Sequence, residues 1–92
     1  MSDKAYRGIY YDQPHVQAEF EQLVQRIRDA EQNRAPLADR QRTAARELES
    51  GAISEKQFQS VDAAFIAANN AIAAAQRAVD SFLQANKNYK AR

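Results

Sequence analysis

Along the second half of the chain, apolar residues recur at alternating steps of three and four. Phe58, Val61, Phe65, Ala68, Ile72, Ala75, Val79 and Phe82 follow one another in this way, and Tyr89 keeps the phase. That spacing lines them up on one face of an α-helix as an a/d heptad seam, which needs a second helix to cover it. A start signal stands in front of the stretch. Ser54 and Gln57 form a capping box, Glu55 complements the positive end of the helix dipole, and Ile53 and Phe58 are spaced for a hydrophobic staple. The pattern predicts a helix over about residues 54–88.

A covering helix is available just upstream. Pro14 suits a helix entry, and Val16, Phe20, Leu23, Ile27 and Ala30 fall on one face from there. The same phase passes through Pro36 to Leu37, Ala44 and Leu48, with polar Arg34 and Gln41 at the intervening seam positions. An internal proline costs a helix about 3 kcal/mol, so this helix, about residues 15–49, is expected to be bent or broken near Pro36. The uninterrupted phase favours a bent but nearly continuous one. Arg34 and Gln41 weaken the seam locally and either fix its register or mark where a partner enters. Residues 50–53 form the turn, with Gly51 able to close the first helix in the left-handed conformation. So short a connection forces the helices antiparallel and adjacent. The predicted fold class is all-α: a coiled-coil-like, antiparallel two-helix hairpin. Leu48 should meet Phe58 and Val61, Leu37 should lie within a turn of Ile72, and Val16 and Phe20 should approach Phe82, Leu83 and Tyr89.

Residues 1–14 break the helical pattern. Gly8 and Pro14 argue against a regular helix, and Tyr6, Tyr10 and Tyr11 make the segment an extended aromatic arm. It either folds back onto the helical pair through Ile9 and a tyrosine, or it is a docking peptide, since tyrosine and arginine carry binding energy at interfaces. The run Tyr6-Arg7-Gly8-Ile9-Tyr10-Tyr11-Asp12 resembles the Tyr-Arg-Gly-x-x-Tyr signature of a family of small, uncharacterised cyanobacterial proteins. The resemblance rests on Tyr6, Arg7, Gly8 and Tyr11. It implies a photosynthetic source and a role for the arm, and no activity. Antiparallel pairing sets the arm beside the basic C-terminal tail, residues 90–92. Tyr6, Arg7, Ile9, Tyr10 and Tyr11, with Lys87, Tyr89 and Lys90, are therefore candidate partner-binding residues, as is Ile66, which nothing in a two-helix pair covers.

A band of small residues runs beside the second seam. Ala64, Ala67, Ala71, Ala74 and Ala78 widen the apolar arc beyond what one partner helix covers. Alanine is also the best helix former, so propensity alone could place it there. A chain of 92 residues with no cysteine has a thin stability margin and no disulfide to widen it. Self-association into a homodimer or four-helix assembly through the alanines answers both points.

Charge and chemistry change the picture little. Lys plus Arg is 13 and Asp plus Glu is 12, so the balance is not that of most nucleic-acid binders. Arg26, Arg28, Arg34, Arg40, Arg42 and Arg46 give the first helix a local excess, which is either a solvated face laced with ion pairs or a polyanion patch. No stacking aromatic is interleaved with them. The lone His15, at a helix entry, makes neither a metal site nor a catalytic pair. Glu19 and Glu21, like Glu47 and Glu49, diverge on a helix. No cofactor, metal site or enzyme is expected. The early residues show no secretory signal, no stretch suits membrane insertion, and the lack of cysteine fits the cytoplasm. The leading expectation is a protein–protein interaction module, with a structural accessory of a phage or other large particle fitting the same composition.

Overall fold

The computed structural model describes residues 6–91. In chain order these form β1 (Ile9–Tyr10), α1 (Pro14–Ser50), α2 (Glu55–Ala85) and β2 (Lys90–Ala91). The two helices lie side by side as an antiparallel hairpin, which is the all-α class expected. The long axis is 57 Å against 20 and 16 Å for the others. The radius of gyration, 17.8 Å, stands well above the roughly 12 Å of a compact chain of this length. Each helix is therefore wet over most of its girth.

α1 starts at its proline, where a missing N–H is no loss. It is not broken at Pro36. Val16, Phe20, Val24 and Ile27 before the proline and Ala44 after it are all buried, so burial on both sides holds the helix through the fault. Gln32, whose carbonyl loses its partner at Pro36, is exposed along with the proline, and water can solvate it. At the other end Gly51 takes φ +82°, donating its N–H to Leu48 O (3.1 Å), while Ala52 N–H reaches Glu47 O (2.8 Å). This is the Schellman closure. α2 opens with the capping box: Gln57 N–H donates to Ser54 Oγ (3.1 Å) and Ser54 N–H to Gln57 Oε1 (2.8 Å).

Two polar pairs cross the interface. Arg34 Nε donates to Asn69 Oδ1, with its guanidinium 5.0 Å from the centre of the Phe65 ring. Gln41 Nε2 donates to Asp62 Oδ1 (3.3 Å). The second pair lies seven residues on along α1 and seven back along α2, so both report one register. Leu37 lies beside Ala64, Ala67 and Ala68, whereas Ile72 sits on the other side of the interface with Arg34 and Asn69. The expected approach of Leu37 to Ile72 is corrected accordingly. The main core gathers at the end remote from the turn, where Tyr11, Val16, Phe20, Val24, Ile27, Ala75 and Val79 pack together.

Two expectations at that end need correction. The second helix stops at Ala85 rather than near residue 88, and residues 90 and 91 are not a free tail. Asn86 leaves helical geometry at φ −127°, ψ 76°, and its N–H and Nδ2 both donate to Phe82 O (2.9 and 3.0 Å). Its own carbonyl accepts a hydrogen bond from the Tyr11 hydroxyl (2.7 Å). The chain then turns back, and β2 pairs antiparallel with β1 in the register Ile9 to Ala91 and Tyr10 to Lys90.

A methyl group on Gly51 would meet nothing within 4 Å, so its replacement tests backbone conformation alone. Gly51→Ala should lower the unfolding free energy by about 1–2 kcal/mol in urea titrations, the cost of a left-handed L-residue, and Gly51→Asn by less.

Candidate interaction surfaces

At the end remote from the turn, the arm is packed onto the helices through Tyr11. Its ring is 4% exposed and meets Phe20, Phe82 and Tyr89 edge-on, with centroids 5.6, 5.5 and 6.1 Å away. Phe20 and Phe82 stack at 6.2 Å beneath it. Edge-to-face pairs of this kind add to simple area burial. The Tyr11 N–H is taken up by Gln17 Oε1 (2.8 Å), which ties the arm to the first turn of α1. Burial, and secondarily Tyr89, pushes the Tyr11 phenol above its ordinary pKa. Of the two readings of the arm, Ile9 and a tyrosine do fold back onto the helical pair, and Tyr11 is that tyrosine, although it was also a candidate to face a partner. The structure corrects this, because a ring enclosed on three sides by aromatics is core.

The remaining arm residues stay nearer the surface. Tyr6 is half-buried and donates its hydroxyl to Asp80 Oδ1 (2.8 Å). Desolvation, then the hydrogen bond and charge of Asp80, push its pKa up to about 12. Ile9 packs on the core, Tyr10 is half-buried, and Arg7 and Lys87 are exposed. Tyr89 is 40% exposed. Lys90 Nζ lies 2.5 Å from Asp12 Oδ2 in an exposed ion pair, and that carboxylate raises the Lys90 pKa. The structure thus brings Tyr6, Arg7, Ile9, Tyr10, Lys87, Tyr89 and Lys90 to one end. Ile66, 50% exposed, stands apart on α2.

The arginines of α1 do not form one surface. Arg34 is drawn between the helices by Phe65 and Asn69, and Arg42 pairs with Asp39. Arg28 reaches Gln25 (3.2 Å), and Arg46 is exposed. Arg26 and Arg40 instead flank an open groove between the helices, on the side away from Arg34. Its floor is Leu37 with Ala64, Ala67, Ala68, Ala71 and Ala75. Ala64, Ala67, Ala71 and Ala74 of the alanine band are exposed and Ala78 is half-buried. Toward the turn the groove continues past Ala44, Val61 and Ile53.

Asp80, Asp12, Asn69 and Asp62 are side-chain partners that the sequence pattern did not single out. For Asn69 and Asp62 a signal existed: a turn at 50–53 sets them opposite Arg34 and Gln41. Asp80 and Asp12 meet their partners only once the arm folds back. Among the described residues, no three of His, Cys, Asp or Glu are grouped to hold a metal ion, and no helix is long and apolar enough to cross a membrane. Compared with family models, curated proteins and solved structures, the chain matches none of them.

Removing the Tyr11 ring should be among the most damaging single changes. Tyr11→Ala is expected to cost about 3–5 kcal/mol by chemical denaturation, as for other large aromatics lost from a core. Tyr11→Phe keeps the ring but strands the Asn86 carbonyl, and should cost about 1–3 kcal/mol. Tyr6 supplies a pH dependence. Its phenol ionises near 10 when unfolded and about 12 when folded. The unfolded chain therefore loses that proton first, and stability should fall as pH rises through this window. Tyr6→Phe should flatten the decline, read from urea midpoints across the same range.

Proposed function

We propose that this protein is a non-enzymatic helical interaction module that self-associates along the grooved face of its hairpin and offers its aromatic, basic end to a protein partner. The observation that carries the reading is the groove itself. Leu37 and a row of alanines line an open groove between two helices, and no further element among the described residues lies over it. Apolar surface of that length is what a helix face presents when another helix is to cover it. Strong helix propensity accounts for alanine on an exposed face, but not for the half-buried Leu37 at its centre.

The outward end has a different character. Tyr89 and Tyr10 lie there with Arg7, Lys87 and Lys90, the mixture of aromatic and cationic groups from which binding hot spots are built. Polyanion binding through α1 is the weaker reading, because Arg34 and Arg42 are already engaged within the chain. The lack of cysteine suits a reducing compartment, and we place the module in the cytoplasm.

Light scattering after size exclusion, over about a hundredfold range of concentration, tests self-association, because an assembly dissociates by mass action. The mass of a dimer or a tetramer is expected. A single monomer mass throughout would overturn the self-association reading.

A further inference from the structure

The rim of the groove carries charges in a particular order. Arg26 and Asp29 flank it toward the core end, and Arg40 and Glu47 flank it toward the turn. Arg26, Arg40 and Glu47 make no ion pair or side-chain hydrogen bond among the described residues, and Asp29 accepts only from Gln25 Nε2 (2.9 Å). Arg26, Asn33, Arg40 and Glu47 recur every seventh residue, so they form a straight line along one face of α1. The line spans roughly 32 Å at 1.5 Å per residue.

This order is complementary to its own reverse. From the interhelical register, Pro36 on α1 is level with Ala67 on α2. A twofold axis crossing the groove at that level turns each helix antiparallel onto its own copy. Arg26 then falls beside Glu47 of the second copy, and Asp29 within a turn of its Arg40. On α2 the same axis sets Ala67 beside its own equivalent and Ala64 beside Ala71, where small side chains let the backbones approach closely. Charges meet charges and alanines meet alanines. The other face-to-face arrangement, with the axis along the hairpin, lays α1 over α2 of the copy; there Glu47 comes level with Lys56, but Arg26 comes level with Arg77 and Arg40 with Ala63, so both arginines are left without a carboxylate.

We infer that the occupant of the groove is a second copy of this chain, docked face to face and antiparallel about an axis near Pro36 and Ala67, with Arg26 paired to Glu47 and Asp29 to Arg40 across the interface. This rests on the self-association reading and gives it a geometry. The aromatic ends of the two copies then lie at opposite ends of the assembly, clear of the interface.

The chain tests this by charge reversal. Arg26→Glu puts carboxylate against carboxylate at both symmetry-related contacts, and Glu47→Arg puts guanidinium against guanidinium. Each variant alone should raise the dimer dissociation constant by roughly a hundredfold in light scattering and sedimentation. An equimolar mixture of the two should dimerise again, because both contacts then join opposite charges. Far-ultraviolet circular dichroism checks that each variant keeps the helicity of the parent. Ala67→Glu, at an exposed position, is an independent probe: it should yield a helical monomer. A wild-type dimer whose variants dimerise unchanged, or fail to recover on mixing, would overturn this geometry and leave self-association through another face standing. A wild-type monomer would overturn both.

Discussion

The Tyr11 side chain joins what the two helices alone would leave separate. Its ring fills the space between Phe20 of α1 and Phe82 of α2, and Tyr89 closes over it from the C-terminal segment. Burying a phenol requires a partner for its hydroxyl. The partner is the Asn86 carbonyl, which is free to accept because α2 has ended one residue earlier. Ring burial, the end of α2 and the pairing of β1 with β2 are thus one cooperative arrangement. Loss of the ring exposes Phe20 and Phe82 and removes the reason for the chain to turn back after Asn86.

Along the rest of the hairpin the problem is register more than adhesion. Where the seam passes through Ala30, Ala44, Ala68 and Ala75, the small side chains distinguish poorly between one alignment and another displaced by a turn. The pairs Arg34 with Asn69 and Gln41 with Asp62 break that near-degeneracy. A slip would strand partly buried polar groups without partners, which costs more than the apolar contacts could regain. Polar seam positions lower local packing density and in return select one alignment. The arrangement also explains why the core is concentrated toward the arm, where larger residues face each other, and why the middle of the molecule keeps an open groove.

That groove follows from geometry. Two helices in contact cover only a narrow stripe of each other, and the arm covers only one end. α2 carries an apolar arc wider than the stripe, so part of it stays outside the packing that the described residues provide. In the proposed pairing, the line of charge beside that arc gives the face a preferred orientation, since Arg26 and Arg40 meet carboxylates only there. The basic and aromatic end of the molecule lies away from this face, so association through the groove leaves it exposed.

Much of this was legible in the order of the residues. The seam spacing, Gly51, and the Ser54 and Gln57 box act within a few positions of one another, and they determine two antiparallel helices joined by a tight turn. The phase across Pro36 likewise foretold a helix that continues through it. The alanine band and Ile66 could be read as surface in excess of what a hairpin covers. By contrast, the tertiary structure alone decided that Tyr11 is core, that Tyr6 bonds to Asp80 and Lys90 pairs with Asp12, and that α2 ends at Ala85. These contacts join residues some seventy-five positions apart in the chain, as for Tyr11 and Asn86. Helical periodicity records only neighbours within a turn or two, so it extended α2 through a residue whose carbonyl is claimed by an arm from the other terminus.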